Sequence, residues 1–118
     1  LSHQMRPHIE INIELTPKIK DLGYCTVAFL NDWNRARYFD IEIKKSKSLE
    51  KMLKVLAHEM VHLKQFAKGQ LSEDHNRWYG FYIDSDTIEY SNQPWEIEAA
   101  SLETVLYIMY REEHPINK

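Results

Sequence analysis

The chain is poor in the features that would tie it to several large classes of protein. It has a single cysteine, Cys25, which excludes an internal disulfide framework and makes a reducing cytoplasm the expected compartment. It has no apolar run long enough to span a bilayer, so no membrane partner is expected. Three glycines and four prolines in 118 residues leave no linker-like or low-complexity stretch, and no internal repeat is visible. Charge of one sign is scarce too: a net charge of −3 gives no reason to expect nucleic acid as an obligate partner. The basic run Lys44, Lys45, Lys47, Lys51 and Lys54 reads as a solvated helix start, with a DNA contact as the alternative. The sequence opens at Leu1 without a Met and without a leader-like stretch, so a trimmed or processed chain is expected. What is present is 43% hydrophobic residues in a length that can bury one core and no second, so residues 1–118 are expected to form a single domain.

Period-two alternation predicts three strands in the first half of the chain. Ile9, Ile11, Ile13 and Leu15 alternate with polar neighbours, Tyr24 to Leu30 is β-branched and aromatic, and Tyr38 to Ile43 alternates again. Pro17 and Gly23 bound the first gap, and Asn31-Asp32-Trp33-Asn34 reads as the turn that pairs the second and third strands in a hairpin. A fourth strand is expected over Arg77 to Ile83, ahead of the acidic, turn-rich Asp84 to Gln93. Helical periodicity predicts one helix from an N-cap at Ser46 or Ser48 to a stop at Gly69, and a second opening at Pro94. The order β-β-β-α-β-α is that of an α+β domain, a small mixed sheet packed against the first helix with a second helix toward the C-terminus.

The first helix carries His58-Glu59-Met60-Val61-His62. Two imidazoles four residues apart on a helix point the same way and can grip one metal ion, and the Glu between them lies beside whatever water that metal carries. This is the H-E-x-x-H pattern of zinc hydrolases, with the histidines as ligands and the glutamate as general base. At about 100° per residue, Leu49, Met52, Leu53, Leu56, Met60, Leu63 and Ala67 form one apolar stripe. His58 and His62 lie nearly opposite it, so they are expected to face away from the main core. The plain alternative is a pair of histidines on a solvated face beside Lys51, Lys54 and Gln65, without a metal.

Catalytic zinc wants three protein ligands and an open position, and the second helix offers the third. Pro94-Trp95-Glu96-Ile97-Glu98-Ala99-Ala100 opens a run that continues through Leu102, Val105, Leu106, Ile108 and Met109. Glu96 and Glu98 lie about 200° apart on a helix, so only one can face the metal. Glu96 is the preferred ligand because its face carries, beside Glu103, the small residues Ala99 and Ala100, which let two helices approach closely. Glu98 remains the alternative, and an acid at a helix N-terminus can also be explained by the helix dipole alone.

On these two motifs the chain resembles the gluzincin group of zinc metallopeptidases, and within it the small single-domain peptidases of bacteriophage and bacterial genomes. Their second-helix signature often runs Glu-x-x-Ala followed by Asp or Asn, with the first Glu on zinc. Glu96-Ile97-Glu98-Ala99 fits that register, whereas Ala100 stands where relatives have the acid that orients a ligand histidine. Glu103 is the candidate to take over that role. The resemblance covers about residues 48 to 112, and it implies a zincin-like fold, one Zn2+ per chain and a peptide or protein substrate whose backbone adds to an edge strand beside the active helix.

His-Glu-Met-hydrophobic-His is also typical of SprT-like proteases, which take a downstream histidine as third ligand. His75 with Trp78 is similar to their His-Gly-x-x-aromatic element, although Asn76 replaces the glycine and no zinc ribbon is possible with one cysteine. The expected reaction is hydrolysis of a peptide bond by a zinc-activated water, with Glu59 as general base and His75, Tyr79 or Tyr90 as donor to the oxyanion. The alternatives are a zinc-stabilised binding module without catalysis and a DNA-associated protease of the SprT-like kind. Among the dense aromatics Trp78, Tyr79, Phe81, Tyr82, Tyr90 and Trp95, one or two are expected to face substrate and the rest the core.

Overall fold

The computed structural model describes residues 9–17, 19–30 and 36–114. The turn expected over Asn31 to Asn34 lies outside the described residues.

Three strands, β1 (Glu10–Thr16), β2 (Gly23–Leu30) and β3 (Ala36–Lys44), form one sheet in the order β1-β3-β2. β3 is central, parallel to β1 and antiparallel to β2, so both β1 and β2 are edges among the described residues. The alternation in β3 decides which face is the core. Phe39, Ile41 and Ile43 are buried on one face, while Tyr38, Asp40 and Glu42 stand on the other, and the register sets Val27 beside Phe39 and Cys25 beside Ile41. Ile11, Ile13 and Leu15 share that apolar face across β1, but the helix layer does not extend over them and they remain exposed.

The helix on that face is α1 (Leu49–Ala67). Ser48 caps it by accepting from the backbone N–H of Lys51 at 3.2 Å. Gly69, at φ 71°, turns the chain out after Lys68, and the N–H of Gln70 closes onto the carbonyl of Gln65 at 2.8 Å. The guanidinium of buried Arg37 donates to the Ala67 carbonyl at 2.9 Å, a cation at the negative end of the helix. Leu63, Phe66 and Ala67 close the core with Phe39, Ile41, Ile43, Leu71 and Trp95.

The aromatic run expected as one strand is instead a hairpin, β4 (Arg77–Trp78) and β5 (Phe81–Tyr82), separate from the main sheet. Tyr79 and Gly80 both have positive φ, 51° and 84°, which is the backbone of a two-residue hairpin turn and reverses the chain in mid-run. After two short 3-10 turns, at Ser85–Thr87 and Tyr90–Asn92, α2 (Pro94–Glu113) crosses α1. α2 lays Trp95, Glu96, Ala99 and Tyr107 against the body of the domain and leaves Ile97, Val105, Ile108 and Met109 exposed.

That crossing excludes the plain alternative of a solvated pair of histidines. α2 covers the histidine face of α1, so α1 is enclosed between the sheet and a second helix and buries Glu59, Val61, His62, Gln65 and Phe66 outside the apolar stripe. No helix among the described residues is long and apolar enough to cross a membrane.

Candidate metal centre

The i, i+4 spacing places the two rings one turn apart on α1, edge to face, with centroids 4.9 Å apart. Both Nε2 atoms converge on a single oxygen of Glu96, 3.0 Å from His58 and 3.2 Å from His62. Glu96 reaches them because Pro94 starts α2 at this point, buried Trp95 anchors the first turn, and Ala99 has no bulk to hold the helices apart. The donor atoms of His58, His62 and Glu96 all lie within 4.8 Å of one another, the one such group among the described residues and compact enough to hold a metal ion.

These groups share an electrostatic environment set by burial and by each other. Burial would push the Glu96 carboxyl up, but the hydrogen bonds from His58 and His62, the charge of His62 and the Tyr90 hydroxyl hold it down at about 2. The hydrogen bond to Glu96 raises His58, with burial in opposition. Burial acts to lower His62, and the hydrogen bond and charge of Glu96, with Gln65 accepting on the far side, outweigh it. Glu59 is raised by burial, which the neighbouring His62 and His58 only partly offset. Glu59 is thus a buried carboxylate beside a cluster of potential ligands, with its proton affinity raised by burial.

The cluster forms the floor of a cleft of about 600 Å³. Asp21 to Cys25, at the start of β2, make one wall, and Val55, Phe66, His75, Tyr90 and Glu103 complete it. Gly23 stands where β2 meets α1: a Cβ there would lie 2.7 Å from Val55 Cγ1, 3.0 Å from the Glu42 carbonyl and 3.4 Å from Glu59 Cγ. The Cys25 thiol in this wall is pushed up to about 12 by burial and by the charge of Glu59. Tyr90 is raised by desolvation at the cleft wall and by the Glu96 carboxylate, so its phenol stays protonated.

His58, Glu59, His62 and Glu96 are thus brought together, and the other residues singled out in the sequence are sorted by position. Glu98 turns away from the cluster and pairs with Lys64 at 2.8 Å. His75 lines the cleft but lies outside the three-residue group, its ring stacked on Phe66 at 5.7 Å and tilted against Trp95 at 5.9 Å. Tyr79 is not part of the cleft wall, and packs its ring edge-on against Trp78 at 4.7 Å. Ala100 is exposed, so an acid at that position would point to solvent rather than to a histidine. Glu103, further along the Glu96 face, places a carboxylate oxygen 3.5 Å from His58 Nδ1.

Gln65, which only the plain alternative sets on a solvated face, is fully buried and hydrogen-bonded to His62 Nδ1 at 2.8 Å. Its signal in the sequence was the spacing: residues 58, 62 and 65 fall at i, i+4 and i+7, one face of one helix. Comparison with protein-family models, curated proteins and solved structures yields no match.

Proposed function

We propose that the protein is a zinc-dependent peptidase in which His58, His62 and Glu96 hold one ion per chain and Glu59 is the general base. The observation that carries this reading is the convergence of two imidazole nitrogens and one carboxylate oxygen at the floor of a cleft, with a buried Glu59 alongside. A nitrogen-nitrogen-oxygen set with room for a fourth ligand suits zinc, whereas calcium and magnesium prefer oxygen throughout. When bound, zinc would polarise the scissile carbonyl and lower the pKa of water to about 7.

The protein's own groups supply the rest. Glu59, with its proton affinity raised by burial, accepts the proton of the attacking water and delivers it to the leaving amine. Tyr90, protonated and with its hydroxyl at Glu96, is the donor we assign to the oxyanion of the tetrahedral intermediate. β2 is an edge strand and its first residues line the cleft, so an extended peptide can pair with its free edge and bring its backbone past Glu59.

The reading is tested by metal analysis and by proteolysis of a peptide library. Wild type is expected to hold near-stoichiometric zinc and cleave peptides, Glu59→Gln to keep zinc and lose most turnover, and Glu96→Gln to lose zinc. Full zinc in His58→Ala or His62→Ala would remove the site. Stoichiometric zinc with no cleavage by wild type would make the protein a zinc-stabilised binding module instead.

A further inference from the structure

Gln65 has no exposed surface, and its neighbours determine which way its amide points. On one side lie two acceptors, the main-chain carbonyl of Trp95 and the carboxylate of Glu98, each 3.0 Å from Nε2. Neither has a hydrogen to give, so the NH2 group must face them. A flipped amide would set oxygen against two oxygens inside a buried interface and forfeit both bonds. The amide oxygen is therefore left facing His62 Nδ1 at 2.8 Å, where it can only accept. Glu98 is itself held by the Lys64 ammonium at 2.8 Å.

We infer that Lys64, Glu98 and Gln65 form a relay that locks His62 with its proton on Nδ1 and presents Nε2 as the ligand atom. Gln65 is thus a positioning residue that acts through His62, and it does more than select a tautomer. Two of its hydrogen bonds end in the first turn of α2, at Trp95 and Glu98, on either side of Glu96. One amide therefore ties the ligand on α1 to the turn that delivers the ligand from α2. The two histidines are oriented differently. His58 Nδ1 faces the partly exposed carboxylate of Glu103, whereas His62 meets a neutral amide whose charged partner is one bond further away. A neutral acceptor fixes the ring without adding negative charge beside the ion.

The relay rests on the metal reading above only for what His62 Nε2 binds. The test is 15N NMR of the histidine rings in zinc-loaded protein, combined with zinc titration. Wild type is expected to show zinc on His62 Nε2 and an exchange-protected Nδ1–H. Gln65→Met, close in volume but with no acceptor, should lose that protection and weaken zinc by about 10 to 100-fold. Glu98→Leu, at a partly exposed position where folding tolerates change, should weaken zinc by a smaller factor. In the Gln65→Met background it should cost clearly less than in wild type, since the hydrogen-bonded route from Glu98 to His62 runs through Gln65. Retained Nδ1–H protection or wild-type affinity in Gln65→Met, or additive losses in the double variant, would overturn the relay. If wild type takes up no zinc, the metal reading fails by itself. Protection of His62 Nδ1–H in the metal-free protein, with and without Gln65, then decides the relay.

Discussion

The Tyr90 ring is largely open to solvent, while its hydroxyl helps to hold down the carboxyl of Glu96, a prospective metal ligand. A phenol in that position either orients Glu96 or donates to the substrate oxyanion, and the two roles have different kinetic consequences. If it is the oxyanion donor, Tyr90→Phe is expected to lower kcat by about 10² to 10³ with KM and zinc content close to wild type, the loss seen when one such donor is removed elsewhere. Steady-state kinetics with metal analysis on the same samples checks this. A parallel loss of zinc would make Tyr90 a positioning residue for Glu96.

Among the elements, the contact between β2 and α1 controls the geometry of the cleft. Gly23 allows the strand to approach within contact distance of Val55 and Glu59, and the flanking residues Asp21 to Cys25 form the wall along which a peptide would lie. Gly23→Ala would drive a methyl group into Val55 and against the Glu42 carbonyl, and the backbone atom can yield only if the strand moves. The expected cost is about 1 to 3 kcal/mol of stability, as for other overpacked sites. A displaced Glu59 should also lower turnover more than it lowers zinc affinity. Chemical denaturation and kinetics on one preparation measure both, and unchanged values for each would mean that the strand is not seated against the helix as described.

For the whole molecule, the buried cluster couples folding to pH, and the sign reverses when metal binds. In the metal-free protein His58 and His62 lie above their ordinary 6.5, so their stabilisation is complete below 6.5 and lost as pH rises through their folded values. Glu96, at about 2 instead of 4.5, contributes stability that is complete above 4.5 and lost as pH falls toward 2. Burial of Glu59 adds a penalty that grows as pH rises past its ordinary 4.5, the same direction as the histidines. Melting temperature of the metal-free protein is therefore expected to fall as pH is raised from about 6 to about 8. A metal ion needs neutral imidazoles, so its stabilisation should grow over the same range, reaching about 2.7 kcal/mol when zinc exceeds its Kd by about 100-fold. Thermal melts with zinc and with chelator across this range check both signs, and coincident curves would dissociate the cluster from folding.

Much of the site was legible in the sequence because its first components are local. The i, i+4 spacing puts His58 and His62 on one side of any helix that contains them, and Glu59 goes with them wherever that helix lies. Alternation marked the core face of β3, and the Ser48 and Gly69 signals bounded α1 by backbone hydrogen-bonding requirements that need no tertiary partner. The hairpin at Tyr79 and Gly80 was missed because a run of aromatics fits a strand equally well, and only the two positive φ angles distinguish them. What no single segment could decide was the side of α1 that α2 would cover. That crossing turned a face that reads as solvated into a buried one, selected Glu96 over Glu98 for the cluster, and brought Gln65 between the helices as the partner of His62. The physical reason is that burial of a polar side chain is a property of the pair of surfaces that meet, and the hydrogen bonds that offset its cost come from residues 30 or more positions away in the chain.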